Sequence, residues 1–211
     1  MYDQIERQAT RIADKIRSLE YDQKRIMIAI AGPPGAGKST LADAVVAALG
    51  PLAVLMPMDG FHLDNRILEA RGLVHRKGAP ETFDMGGLAA SLGRISAGEQ
   101  VYLPLFDRSR EIAIAGAGEI TSETRFVVVE GNYLCLDEAP WHALAAFWDL
   151  TVFLQVPMPE LERRLVARWR SYGYDDIEAQ NKAMSNDIPN AQRVCAHRSP
   201  VDVVIFEEDE A

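Results

Sequence analysis

The stretch from Arg25 to Leu49 constrains the chain more than any other. It runs RIMIAIA, then GPPGAGKS, then a segment placing Leu41, Ala44, Val45, Ala48 and Leu49 on one stripe, and it stops at Gly50-Pro51. An apolar run without polar alternation suits a strand covered on both faces, and the stripe after it has helical spacing. The octet Gly32 to Ser39 satisfies GxxxxGK[ST], with the strand before it and the helix after it that this pattern requires. Glycine lets the backbone wrap so that N–H groups face phosphate oxygens, and the helix start adds the positive end of its dipole. Gly32, Pro33, Pro34, Gly35, Ala36, Gly37, Lys38, Ser39 and Thr40 are therefore the expected nucleotide cradle. Lys38 reaches the β- and γ-phosphates, and Ser39 holds Mg²⁺.

The rest of the chain repeats this alternation. Strand-like runs occur at 52–58 (LAVLMPM), 125–131 (RFVVVEG), 150–157 (LTVFLQVP) and 201–206 (VDVVIF). Helical spacing predicts helices at 4–20, 38–49 and 159–171, with shorter ones near 64–71 and 86–97. VYLPLF and EIAIAG, within 101–122, suggest a small hairpin at the edge. Strands alternating with helices imply an α/β fold, a mainly parallel sheet with helices on both faces. Ligands in such folds sit at the carboxyl ends of strands. The turns at 32–38, 59–62, 130–133 and 157–159 should then meet at one edge of the sheet.

Two of these turns carry a carboxylate. Asp59 follows the second strand in MDGFH, where it suits a general base for a substrate hydroxyl. Glu130 closes FVVVEG, where it suits the hydration shell of Mg²⁺. On the helix at 159–171, Arg164 and Arg168 share a face at i,i+4 spacing. Two readings stand for them: a clamp on the polyphosphate, or structural ion pairs, since Glu160 precedes Arg164 by four residues. HRKGAPETFD and PLFDRSRE bring Lys77, Asp107, Arg108 and Arg110, which with His62 are candidates for the acceptor pocket and equally read as solvated loops. A GTPase is disfavoured. Asn181-Lys182 is followed by Ala-Met rather than completing NKxD, and Asp84–Gly87 follows no buried strand.

Composition narrows the partners. The 211 residues suit one domain, with a helix at 1–22 before the sheet and an acidic tail at 207–211. With 22 Lys and Arg against 31 Asp and Glu, the net charge of −9 disfavours nucleic acid and anionic membranes. No apolar run approaches the ~18 residues of a membrane span, and the charged N-terminus has no signal-peptide core. Cys135 and Cys195 form no CxxC pair. A cytoplasmic protein with a small-molecule partner is expected, and pairing into a homodimer stays open.

Taken together, these motifs resemble the phosphoribulokinase/uridine kinase family of P-loop kinases, which includes the bacterial pantothenate kinases. The resemblance runs from about residue 24 to 206. GPPGAGKST resembles the family's Walker A, and MDGFH its strand-end Asp motif, which makes Asp59 the catalytic base. RKGAPETFD is similar to the KGxPESYD-type stretch of pantothenate kinases. PLFDRSRE is similar to the acceptor-contacting PxYDxxxxxR stretch, with Phe106 where Tyr is usual. VVVEGNYL resembles the EG strand end, and RRLVARW the lid helix whose arginines map to Arg164 and Arg168. Within the family the combination is most similar to bacterial fructose transport system kinases. The resemblance implies a three-layer P-loop fold, ATP and Mg²⁺ as cofactors, and transfer of the γ-phosphoryl group to an alcohol, a sugar such as fructose among the candidates. A nucleoside or pantothenate acceptor and a non-kinase ATP-binding regulator are the rivals. The short lid and short 60–100 region depart from pantothenate kinases, and the segment around His75 departs from the pyrimidine loop of uridine kinases.

Overall fold

Strand β1 (Ile26–Ala31) is buried along its whole length, because each of its faces lies against a different core. Ile26, Ile28 and Ile30 point into one, and Met27, Ala29 and Ala31 into the other. The computed structural model of the protein describes residues 2–19 and 24–206. The end of the expected N-terminal helix beyond residue 19 and the acidic tail at 207–211 lie outside the described residues.

Five parallel strands form the sheet: β1, β2 (Ala53–Pro57), β5 (Phe126–Gly131), β6 (Leu150–Gln155) and β7 (Val203–Phe206), in the spatial order β2-β5-β1-β6-β7. Helices α1 (Tyr2–Ser18), α2 (Lys38–Leu49) and α5 (Met158–Ser171) cover one face. Their burial relies on Ala9, Ile12, Ala13 and Ile16 of α1, Leu41 and Val45 of α2, and Leu161 and Leu165 of α5. Each such aliphatic side chain of Val, Leu or Ile size contributes about 1.5–3 kcal/mol when removed from water. Helix α4 (Met85–Ser96) and the hairpin of β3 (Val101–Asp107) and β4 (Ile112–Ile120) cover the other face through Leu88, Leu92, Val101 and Ile120. The fold is the α/β arrangement expected from the alternation, hairpin included.

Short helix α3 (Asn65–Ala70) is capped by Asp64, whose carboxylate accepts from the Arg66 N–H at 2.9 Å. Asp84 likewise caps α4 by accepting from the Gly87 N–H at 2.8 Å. That accounts for the Asp84–Gly87 pattern as a cap rather than a phosphate sensor. One region departs from expectation. Helix α6 (Asp176–Lys182), a π-helical turn (Ala183–Asp187) and helix α7 (Ile188–Ala196) occupy a stretch whose sequence suggested no element.

The parallel register places the strand ends side by side. Glu130 pairs with Ile30 on one side and with Pro57 on the other. The glycine-rich loop, the Asp59 turn and the Glu130 turn therefore leave the same edge of the sheet together.

Candidate active site

The loop after β1 needs glycine. Gly35 and Gly37 hold φ of +82° and +86°, backbone that other residues adopt only with strain. Gly37 is the N-cap of α2 and supplies no side chain to the cap, and the first turn of the helix holds no acidic residue. By helix geometry the N–H groups of Lys38, Ser39 and Thr40 have no acceptor within the helix. Ser39 and Thr40 are exposed there, whereas Pro33, Pro34, Ala36 and Lys38 are buried. The result is a ring of N–H donors with the positive end of α2 behind it, a ready site for anionic oxygens.

Lys38 lies in this ring with its Nζ donating to the Pro33 carbonyl at 2.9 Å. Burial pushes its ammonium down to about 8, and the negative charges of Glu130 and Asp59 oppose that shift. Glu130 is 8 % exposed. Burial raises its carboxyl above the ordinary range, while Lys38 and a hydrogen bond from Ser39 work the other way. A lysine, a hydroxyl and two carboxylates thus face one another at the strand ends. This donor set fits a polyphosphate with a hard divalent cation, since oxygen ligands suit Mg²⁺ and the ammonium suits phosphate.

Asp59 sits on the 3₁₀ turn Met58–Phe61 directly after β2. The turn lies so close to the hairpin that a Cβ on Gly60 would stand 2.0 Å from the Pro104 carbonyl oxygen. Arg108, from the hairpin tip, makes an ion pair with Asp59. His62 donates from its Nδ1–H to the Asp59 carbonyl at 2.8 Å, and its ring packs at a tilt against Phe83 and Phe106. Lys77 sits over the Phe106 ring, 5.2 Å from its centroid, and donates to Asn65 at 2.8 Å and to the Glu111 carbonyl at 2.9 Å. His62, Lys77 and Arg108 are therefore brought together around Phe106 beside Asp59. Asp107 and Arg110 are not. Their side chains pair with each other at 2.7 Å, and hydrogen bonds from Ser109 and Arg110 hold the Asp107 carboxyl down at about 2.

On α5 both readings of the arginines have substance. Glu160 accepts from Arg163 and from Arg164 at 2.6 Å, and these bonds hold its carboxyl down at about 2. Arg164 also approaches the Gly35 carbonyl at 3.3 Å, so the ion pair sits against the loop. Arg168 donates to Asp187 at 3.0 Å, and its charge is felt at Lys38. Its Nε is buried without a hydrogen-bond partner.

The match to a family model, "Phosphoribulokinase / Uridine kinase family", spans residues 27–205. The chain belongs to this family. Its relatives include the crystal structure of a "putative fructose transport system kinase" from Silicibacter sp. TM1040, 46% identical, with a TM-score of 0.90 over 93% of this chain and 98% of that one. The uncharacterized protein YggC of Escherichia coli strain K12 is 34% identical over 87% of this chain and 78% of its own length. A pantothenate kinase of Sorangium cellulosum is 31% identical over 77% of this chain and 55% of its own length. As a member of the phosphoribulokinase/uridine kinase family, the protein is an ATP-dependent phosphotransferase that acts on an alcohol.

Several residues that contact these groups carry no sequence signal. Asp187, in the π-helical turn, accepts from both Arg168 and the Trp169 Nε1–H, the latter at 2.6 Å. Asn186 donates to the Lys77 carbonyl at 2.9 Å and accepts from Arg76 at 2.9 Å. These bonds dock the α6–α7 segment on the stretch 76–78. Their partners lie more than a hundred residues apart for Asn186, and no periodicity or motif could have paired them.

Proposed function

We propose that the protein transfers a γ-phosphoryl group from Mg-bound ATP to a hydroxyl of a sugar, with fructose the leading candidate. The observation that carries the chemistry is the position of Asp59, on a turn beside the buried Lys38–Glu130 pair and open to the ring cluster of His62 and Phe106. The sugar rests on the 46% identity and near-complete mutual coverage with the Silicibacter protein.

In this reading the loop 32–40 binds the polyphosphate, with Lys38 against the β- and γ-oxygens. The Ser39 hydroxyl and Glu130 would hold Mg²⁺, which would supply charge neutralisation to the polyphosphate. Arg168, and Arg164 through its place against Gly35, offset negative charge that grows as the phosphoryl group moves. Asp59 orients the alcohol for in-line attack and takes its proton on a carboxylate oxygen. For that, Arg108 must turn away from Asp59, which leaves its guanidinium beside the incoming acceptor. Arg108, His62 and Lys77 then bound the acceptor pocket. The work is assigned to the cytoplasm. Cys135 and Cys195 are both free thiols, and among the described residues no helix is long and apolar enough to cross a membrane.

A panel of hexoses, nucleosides and pantothenate, assayed for ADP release with purified protein, tests the acceptor. The reading expects a ketohexose to raise ADP release well above the water background. Stimulation by a nucleoside or pantothenate alone would replace the sugar and keep the kinase chemistry.

A further inference from the structure

We infer that helix α1 reads the adenine ring of the nucleotide through the carboxamides of Gln4 and Gln8. The inference rests on the assignment of loop 32–40 as the polyphosphate site. It adds residues that lie outside the span 27–205 matched by the family.

A cavity of about 420 Å³ opens directly beside the loop, with Gly37 and Thr40 on its rim. That is within the ~300–1,000 Å³ of small-molecule sites. Ile5, Leu154, Val156 and Ile205 give it apolar walls suited to a flat ring. Gln4 and Gln8 line it from the side of α1. They stand four residues apart and so share one face of that helix. Among the described residues neither carboxamide has a hydrogen-bond partner, although each offers two donors and an acceptor.

The helix that presents them is firmly placed. Ala9, Ile12, Ala13 and Ile16 are buried against the core, and Arg17 donates to the Ala48 carbonyl at the far end of α2. A carboxamide pairs in two-point fashion with adenine, whose amino group donates beside a ring nitrogen that accepts. Guanine is read instead by a guanidinium fork. The two forks in this cavity, Arg163 and Arg164, are both engaged by Glu160. The chemistry on offer at the base edge is therefore that of a carboxamide, which matches the amino group and adjacent ring nitrogen of adenine.

The test is calorimetric titration with the β,γ-imido analogues of ATP and GTP and with inorganic tripolyphosphate. The wild-type protein is expected to favour the adenine analogue by about tenfold or more, the discrimination a good two-point contact provides. Gln4→Leu/Gln8→Leu keeps the side-chain size and should bring the two analogues to equal affinity, with tripolyphosphate binding and the melting temperature unchanged. The single variants should each lose part of the preference, so the result does not depend on the double variant folding. A double variant with the wild-type preference, or a wild-type protein with none, overturns the inference. Tripolyphosphate binding that survives Lys38→Ala would instead overturn the loop assignment beneath it.

Discussion

The imidazole of His62 lies between Phe83 and Phe106, with ring centroids 4.1 and 4.6 Å away. Burial lowers its pKa below the ordinary imidazole value. The charge of Asp59 and the hydrogen bond to its carbonyl oppose the shift, and Lys77 and Arg108 reinforce it. Between the folded value and the ordinary ~6.5, the unfolded chain holds a proton that the folded chain does not. Stability therefore rises with pH across that window and is lost as pH falls through it. His62→Phe keeps the aromatic stack and removes the titration. The drop in melting temperature between pH 7.5 and 5.5 should be smaller in this variant than in the wild type, as read by thermal denaturation at both values. An equal drop would place the acid sensitivity elsewhere.

The elements that matter most are short turns at strand ends, and one of them depends on a missing Cβ. Gly60 lets the Met58–Phe61 turn press on the backbone of Pro104 in β3. Since backbone cannot give way as a flexible side chain can, Gly60→Ala should force the turn and hairpin apart at a cost of about 1–3 kcal/mol. Phosphoryl transfer should fall steeply because Asp59 rides on that turn, while ATP affinity by titration should hold. The strand-end turns were legible in the sequence because each follows an uninterrupted apolar run, and the run fixes both the strand and its buried surroundings. Loop 32–40, Asp59 and Glu130 could thus be located by position alone. The α6–α7 segment could not. The π-helical turn at Ala183–Asp187 shifts the helical phase, and Pro189 follows at once as an apparent breaker, although it occupies the first turn of α7. The ion pair between Arg108 and Asp59 was equally hidden, because it joins a hairpin tip to a turn forty-nine residues earlier. The same holds for Asp107 and Arg110, whose mutual bond looks in sequence like two free charges.

Across the molecule, the site and a buried polar anchor stand at opposite ends of β1. Arg25, just before the strand, is 1 % exposed. Its guanidinium donates to the carbonyls of Ile95, Glu99, Thr121 and Thr124, tying the end of α4 and the end of the hairpin to the sheet. Arg25→Met would strip the donor from the Glu99 and Thr124 carbonyls, while those of Ile95 and Thr121 keep backbone donors from Gly98 and Thr124, so a loss of about 1–3 kcal/mol is expected from denaturant unfolding. Nucleotide affinity should not change, because the loop leaves the other end of the strand. Arg25 bears on whether the chain folds, and Asp59 on whether the folded chain is an alcohol kinase. The carboxylate of Asp59 is the group assigned to take the acceptor's proton, and asparagine keeps its size while losing that capacity. With the best acceptor in hand, Asp59→Asn should lower kcat by about 10²–10⁴-fold, the usual range for a general base. ATP affinity, measured by titration on the same preparation, should be unchanged. A fall of less than about tenfold with ATP binding intact, well below the range for such a base, would contradict the assignment and leave Asp59 as a turn residue.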